Sequence, residues 1–68
     1  MTTPVTLNGE PRTVPAGATL ADLIAALTDQ PRSLATAVNG EFVSREVRAD
    51  TPLRAGDAIF TFQPITGG

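Results

Sequence analysis

The chain has 68 residues, 41 % of them hydrophobic, with five arginines against seven carboxylates and a net charge of −2. It contains no cysteine, histidine, lysine, tyrosine or tryptophan, which excludes disulfide staples, a structural zinc and the usual nucleophile–base pairs. Without a clustered basic face there is no electrostatic reason to bind nucleic acid.

A domain this small buries only about 60 % of the surface its unfolded chain exposes. One domain over residues 1–68 is expected, with a core drawn from aliphatic side chains in a compact sheet-and-helix packing. Met1-Thr2-Thr3-Pro4 shows no basic stretch leading into an apolar one, and the longest apolar run falls far short of a membrane span. A cytoplasmic location and no membrane partner are the expectation.

Val5 and Leu7 alternate with Thr6 and Asn8, the period of a half-buried strand. Asn8-Gly9 is the preferred pair for a two-residue hairpin turn, since both positions need positive φ. Arg12-Thr13-Val14 reads as the returning strand, closed by Pro15-Ala16-Gly17-Ala18. Thr19 then suits a helix N-cap, with Asp22 completing a capping box. Leu20, Leu23, Ile24 and Leu27 form one apolar stripe, so a helix is predicted from about Leu20 to Thr28, stopped by Pro31. Leu34 to Val38, a second Asn39-Gly40 pair, and Glu41-Phe42-Val43 predict another hairpin. Ser44 to Pro52 is polar and reads as irregular; Arg45, Arg48 and Arg54, interleaved with Glu46 and Asp50, read as ordinary solvated surface. Leu53-Arg54-Ala55-Gly56-Asp57 predicts a tight turn, and Ala58 to Gln63 the last strand.

This order, β-β-α-β-β-β, implies an α+β roll: a mixed sheet with the helix across one face, the first and last strands side by side and parallel in the middle. The last strand holds a conflict. Phe60 and Phe62 point one way and Ile59 the other, yet a single helix covers one face only. Either the phenylalanines are core and Ile59 is exposed, or Ile59 is core and two aromatics form an exposed patch fit for a partner.

Ser33 and Ser44 have no base beside them, the carboxylates are scattered singly, and no phosphate or dinucleotide loop is present. The chain is expected to be a substrate, carrier or binding module, not an enzyme. Its end is the remaining candidate for chemistry. Pro64-Ile65-Thr66-Gly67-Gly68 reads as a flexible tail that, fully extended, reaches about 17 Å. The two glycines let it thread a narrow channel and leave the Gly68 carboxylate unobstructed. The absence of lysine fits a coding bias toward Ala, Arg, Gly and Pro. It also means that, with no cysteine either, only the α-amino group and weak hydroxyls could trap that carboxylate once activated.

The whole chain resembles the ThiS family, the sulfur carriers of thiamin biosynthesis with the ubiquitin-like β-grasp fold. The resemblance is carried by Leu7-Asn8-Gly9-Glu10, Ala18-Thr19-Leu20-Ala21-Asp22-Leu23, Ala37-Val38-Asn39-Gly40-Glu41, Val43-Ser44-Arg45, Leu53-Arg54-Ala55-Gly56-Asp57 and Gly67-Gly68. Where that family often has proline before the arginine, this chain has Ser44. Phe62-Gln63-Pro64-Ile65 also leans toward MoaD, the carrier of molybdopterin synthase. The resemblance implies that a ThiF-like enzyme uses ATP and magnesium to adenylate Gly68, and that a persulfide donor then converts it to a thiocarboxylate. A ThiG-like thiazole synthase would receive the sulfur. It also implies that Pro64, Ile65, Thr66 and Gly67 thread the partner's active site, while the open sheet face at Phe60 and Phe62 docks against the adenylating enzyme. The carrier itself would bind no cofactor. A MoaD-like or other β-grasp carrier, and a non-covalent interaction module, are the alternatives.

Overall fold

The computed structural model describes residues 1–30 and 33–63. Strand β1 (Thr2–Leu7) turns at Asn8-Gly9 into antiparallel β2 (Glu10–Pro15). Helix α1 (Leu20–Leu27) follows, then a second hairpin of β3 (Ala35–Val38) and β4 (Glu41–Val43), and finally β5 (Ala58–Phe62). Among the described residues these strands make one sheet in the order β2-β1-β5-β3-β4. β5 runs parallel to β1 and antiparallel to β3. The mixed sheet with one helix on it is the architecture expected from the element order.

Local chemistry explains the elements. Both hairpin turns hold positive φ at the asparagine and the glycine, 52° and 86° at Asn8-Gly9 and 53° and 84° at Asn39-Gly40, the two-residue turn that matches strand twist. At the head of α1, Thr19 Oγ1 accepts the Asp22 amide at 3.3 Å, and Asp22 Oδ2 accepts the Thr19 amide at 2.9 Å. The helix ends at Leu27, with Thr28 as an extended cap. The last turn before β5 closes as predicted: Asp57 donates its amide to Arg54 O (3.1 Å), its carboxylate accepts the Arg54 amide (2.8 Å), and Gly56 sits at φ 88°.

The outer edge of β2 is protected by proline. Thr6 sends its N–H away from β2, to Asp57 O at 2.9 Å. Its partner Pro11, and Pro15 at the matching phase, therefore stand where β2 amides face outward. A proline there has no donor to offer another strand.

Val5, Leu7, Val14, Leu20, Leu23, Ile24, Leu53 and Ile59 form the core, with Ala18 closing it. Helix α1 cannot cover the whole sheet: five strands span about 19 Å, whereas a helix with side chains is about 10 Å across. The remainder is covered by a 3-10 segment, Arg45–Asp50, whose Arg48 is only 4 % exposed. This corrects the sequence reading twice: the segment is regular, and Arg48 is not solvated surface. Arg48 Nε donates to Thr36 Oγ1 at 3.1 Å and its Nη2 donates to the Leu34 carbonyl, while Thr36, fully buried, passes its own proton to Val43 O at 2.8 Å. Burial, with Arg45 close by, lowers the Arg48 pKa, and Glu46 partly offsets this. An arginine still stays charged at any pH the fold survives, so the segment is no pH switch.

Candidate functional site

The candidate site is built on β5 and what surrounds its end. Period-two alternation sends Ile59 under α1, where it is fully buried, and sends Phe60 and Phe62 to the uncovered face at 40 % and 54 % exposure. The open alternative in the last strand is thereby resolved in favour of Ile59 as core. The helix is the reason: β5 is central, so its covered side lies beneath the apolar stripe of α1, and the smaller β-branched residue fits there.

Strand register extends the aromatic surface beyond what sequence reasoning singled out. Ala37 lies opposite Phe42 on β4 and opposite Phe60 on β5, and Ala35 lies opposite Phe62. Directly opposed residues share a face. Phe42, 72 % exposed, therefore stands across a floor of two alanines from Phe60 and Phe62. All three phenylalanines of the chain sit on this face. The signal for Phe42 was available in principle, since the Asn39-Gly40 turn sets the register that places it opposite Ala37.

That face also lacks charge among the described strand residues. Its other positions are alanine, threonine and proline, such as Ala58, Thr6 and Pro4. The charged strand residues Glu10, Arg12 and Glu41 fall on the opposite side, in register with Leu7, Val5 and Val38.

The end of β5 is held by an asparagine. Asn8 donates its backbone N–H to Ile59 O (2.8 Å), its Oδ1 accepts the Thr61 amide (3.0 Å), and its Nδ2 donates to Thr61 Oγ1 (3.0 Å). The beginning of β5 is held the same way: Asn39 donates to Ala58 O (2.8 Å), accepts the Ala58 amide on Oδ1 (3.0 Å), and donates from Nδ2 to Asp57 Oδ1 (3.0 Å). The predicted tail residues Pro64, Ile65, Thr66, Gly67 and Gly68 lie outside the described residues.

No group of three or more His, Cys, Asp or Glu side chains able to hold a metal occurs among the described residues. No helix there is long and apolar enough to cross a membrane. Two shallow grooves flank α1, and neither is lined by a β5 residue.

Among the described residues, one α-helix across a mixed sheet, β1 and β5 parallel at its centre, and an aromatic open face on β5 and β4 together define the class: a small ubiquitin-like β-grasp protein. The family model described as the ThiS family matches residues 5–68, and the chain belongs to that family of sulfur carriers. The crystal structure of the thiamine biosynthesis protein ThiS from Geobacter metallireducens is similar at 30 % identity and a TM-score of 0.83, covering 97 % of this chain and 100 % of that one. The solution structure of a thiamine biosynthesis protein from the same organism is similar at 30 % identity and a TM-score of 0.75, over 97 % of this chain and 88 % of that one. No curated protein matches the chain in sequence.

Proposed function

We propose that this chain is the sulfur carrier for the thiazole ring of thiamin, and that Gly68 is the group that carries the sulfur. A carboxylate does not react with a sulfur nucleophile until one oxygen becomes a good leaving group. In this reading a ThiF-like partner in the cytoplasm supplies ATP and magnesium and joins the Gly68 carboxylate to AMP, releasing pyrophosphate. The terminal sulfur of a persulfide donor attacks the acyl carbon and AMP departs. A thiol then removes the donor sulfur as a disulfide, leaving the thiocarboxylate. A ThiG-like thiazole synthase takes the sulfur from it. The carrier contributes no catalytic group; it presents the tail Pro64–Gly68 and a face by which its partners hold it.

The observation that carries this reading is the family match, which runs through Gly67 and Gly68. The uncharged aromatic face of Phe42, Phe60 and Phe62 supports the docking part, because an exposed apolar patch of this kind marks an interaction surface. The partner surface it fits is apolar and uncharged, since a charge buried against it would go unpaired.

Mass spectrometry after incubation with ATP, magnesium, an adenylating enzyme and a persulfide donor tests the chemistry. Replacement of one oxygen by sulfur at Gly68 is expected, and deleting Gly68 is expected to abolish adenylation while leaving the fold intact. Sulfur transfer by the truncated chain would refute the assignment. Phe62-Gln63-Pro64-Ile65 favours a second reading, a carrier for molybdopterin. A deletion strain that needs molybdopterin instead of thiazole would establish it.

A further inference from the structure

The two hairpin asparagines do the same thing at opposite ends of one strand, and only one of those ends leads to the tail. We infer that Asn8 is a positioning residue for the transfer reaction: it fixes the point from which the chain leaves the sheet toward Gly68. This rests on Gly68 being the group that is activated.

Backbone pairing cannot hold that point on both sides. β1 turns away at Asn8-Gly9, and its last backbone bond to β5 is Asn8 N–H to Ile59 O. Beyond it, β3 still pairs with β5 through Ala35 and Phe62, but on the β1 side the Thr61 amide would be left to solvent. The Asn8 side chain replaces the missing strand. A backbone amide can only donate, so the oxygen of the Asn8 carboxamide must face Thr61 N–H, which leaves its nitrogen to donate to Thr61 Oγ1. The turn itself does not require this. Glycine or aspartate also accommodates positive φ there, and glycine would leave the strand end unclamped.

The position matters because β5 is both grip and launch. Phe60 and Phe62 lie on the face proposed for docking, and Thr61 stands between them. Gly68 follows Thr61 by seven residues, about 23 Å when extended. If the strand loosens at Thr61, Phe62 is held from the β3 side alone, and the start of the segment that leads to the carboxylate is held less firmly against the docked face. A misplacement of about 1 Å at a reacting centre can lower a rate on the order of a hundredfold.

Asn39 provides the control. Asn8→Gly and Asn39→Gly make the same chemical change in the same turn type, each keeps its backbone bond to β5, and each loses two side-chain hydrogen bonds. Both variants and the unaltered protein would be compared by thermal melting, amide hydrogen exchange and steady-state pyrophosphate release with a ThiF-family enzyme, ATP and magnesium. The expected result is similar melting temperatures, faster exchange at Thr61 in Asn8→Gly alone, and a kcat about tenfold lower for that variant alone. Equal kcat values for the two variants, or an Asn8→Gly chain that does not fold, would make Asn8 a stability residue and overturn the inference. Failure of the unaltered protein to be adenylated would instead overturn the carrier reading, and this inference with it.

Discussion

On the side of the sheet that faces α1, the centre is aliphatic and buried: Val5, Leu7, Val14 and Ile59 meet Leu20, Leu23 and Ile24. The charged Glu10, Arg12 and Glu41 lie exposed on the outer strands of that side. On the other side stand three phenylalanines, each at least 40 % exposed, with no charged strand residue among them. A small domain short of core would be expected to bury its largest apolar groups. This one folds on its aliphatics and leaves every aromatic ring where another protein can reach it. The difference fits the proposed division of tasks, in which one face holds the fold together and the other meets partners.

Substitutions on β5 test that separation most directly, because neighbouring residues there belong to opposite faces. Ile59→Ala should have the largest effect on stability, about 2–5 kcal/mol for a fully buried aliphatic. That is a large share of the roughly 3–10 kcal/mol expected for a chain of this length. A urea titration would measure it. A loss below about 1 kcal/mol would show that the core does not depend on the covered face as described.

The covered side has a second component, the arginine that closes what α1 leaves open. Arg48→Met keeps much of the apolar stem but leaves the Leu34 carbonyl without that donor and Thr36 Oγ1 without its incoming bond. The expected cost is about 1–3 kcal/mol for each group left unsatisfied. Chemical denaturation and hydrogen exchange at the β3 amides would register it, with the loss concentrated at β3 and β4. An unchanged midpoint would return Arg48 to the status of a surface charge.

Phe60→Ala should have the smallest effect on folding and a selective effect on association. Its ring is partly exposed, so the stability change is expected to stay within about 1 kcal/mol, while affinity for the adenylating partner falls by more than about tenfold if the ring is an anchor. Calorimetric titration alongside a thermal melt separates the two. A destabilisation of several kcal/mol with unchanged binding would reverse the roles assigned to the two faces.

Much of the fold was legible because its signals are local. The capping box at Thr19 and Asp22, the stripe Leu20-Leu23-Ile24-Leu27 and the two Asn-Gly turns each depend on residues a few positions apart. They appear in the structure as the sequence implied. Arg48 was misread for the complementary reason. An arginine among Arg45, Glu46 and Asp50 carries a local pattern indistinguishable from solvated surface, and its burial depends on Thr36 and Leu34, which are distant in sequence.

The amino-acid order by itself determined α1, the two hairpins, β5 and the turn before it, because propensity, capping and periodicity act over a turn or two of chain. Tertiary structure decided which side of β5 is core, that Phe42 joins Phe60 and Phe62, and that Asn8 and Asn39 each secure one end of the same strand. Those facts depend on strand register and on where one short helix lies across a wider sheet. Both are set only when segments far apart in the chain come together.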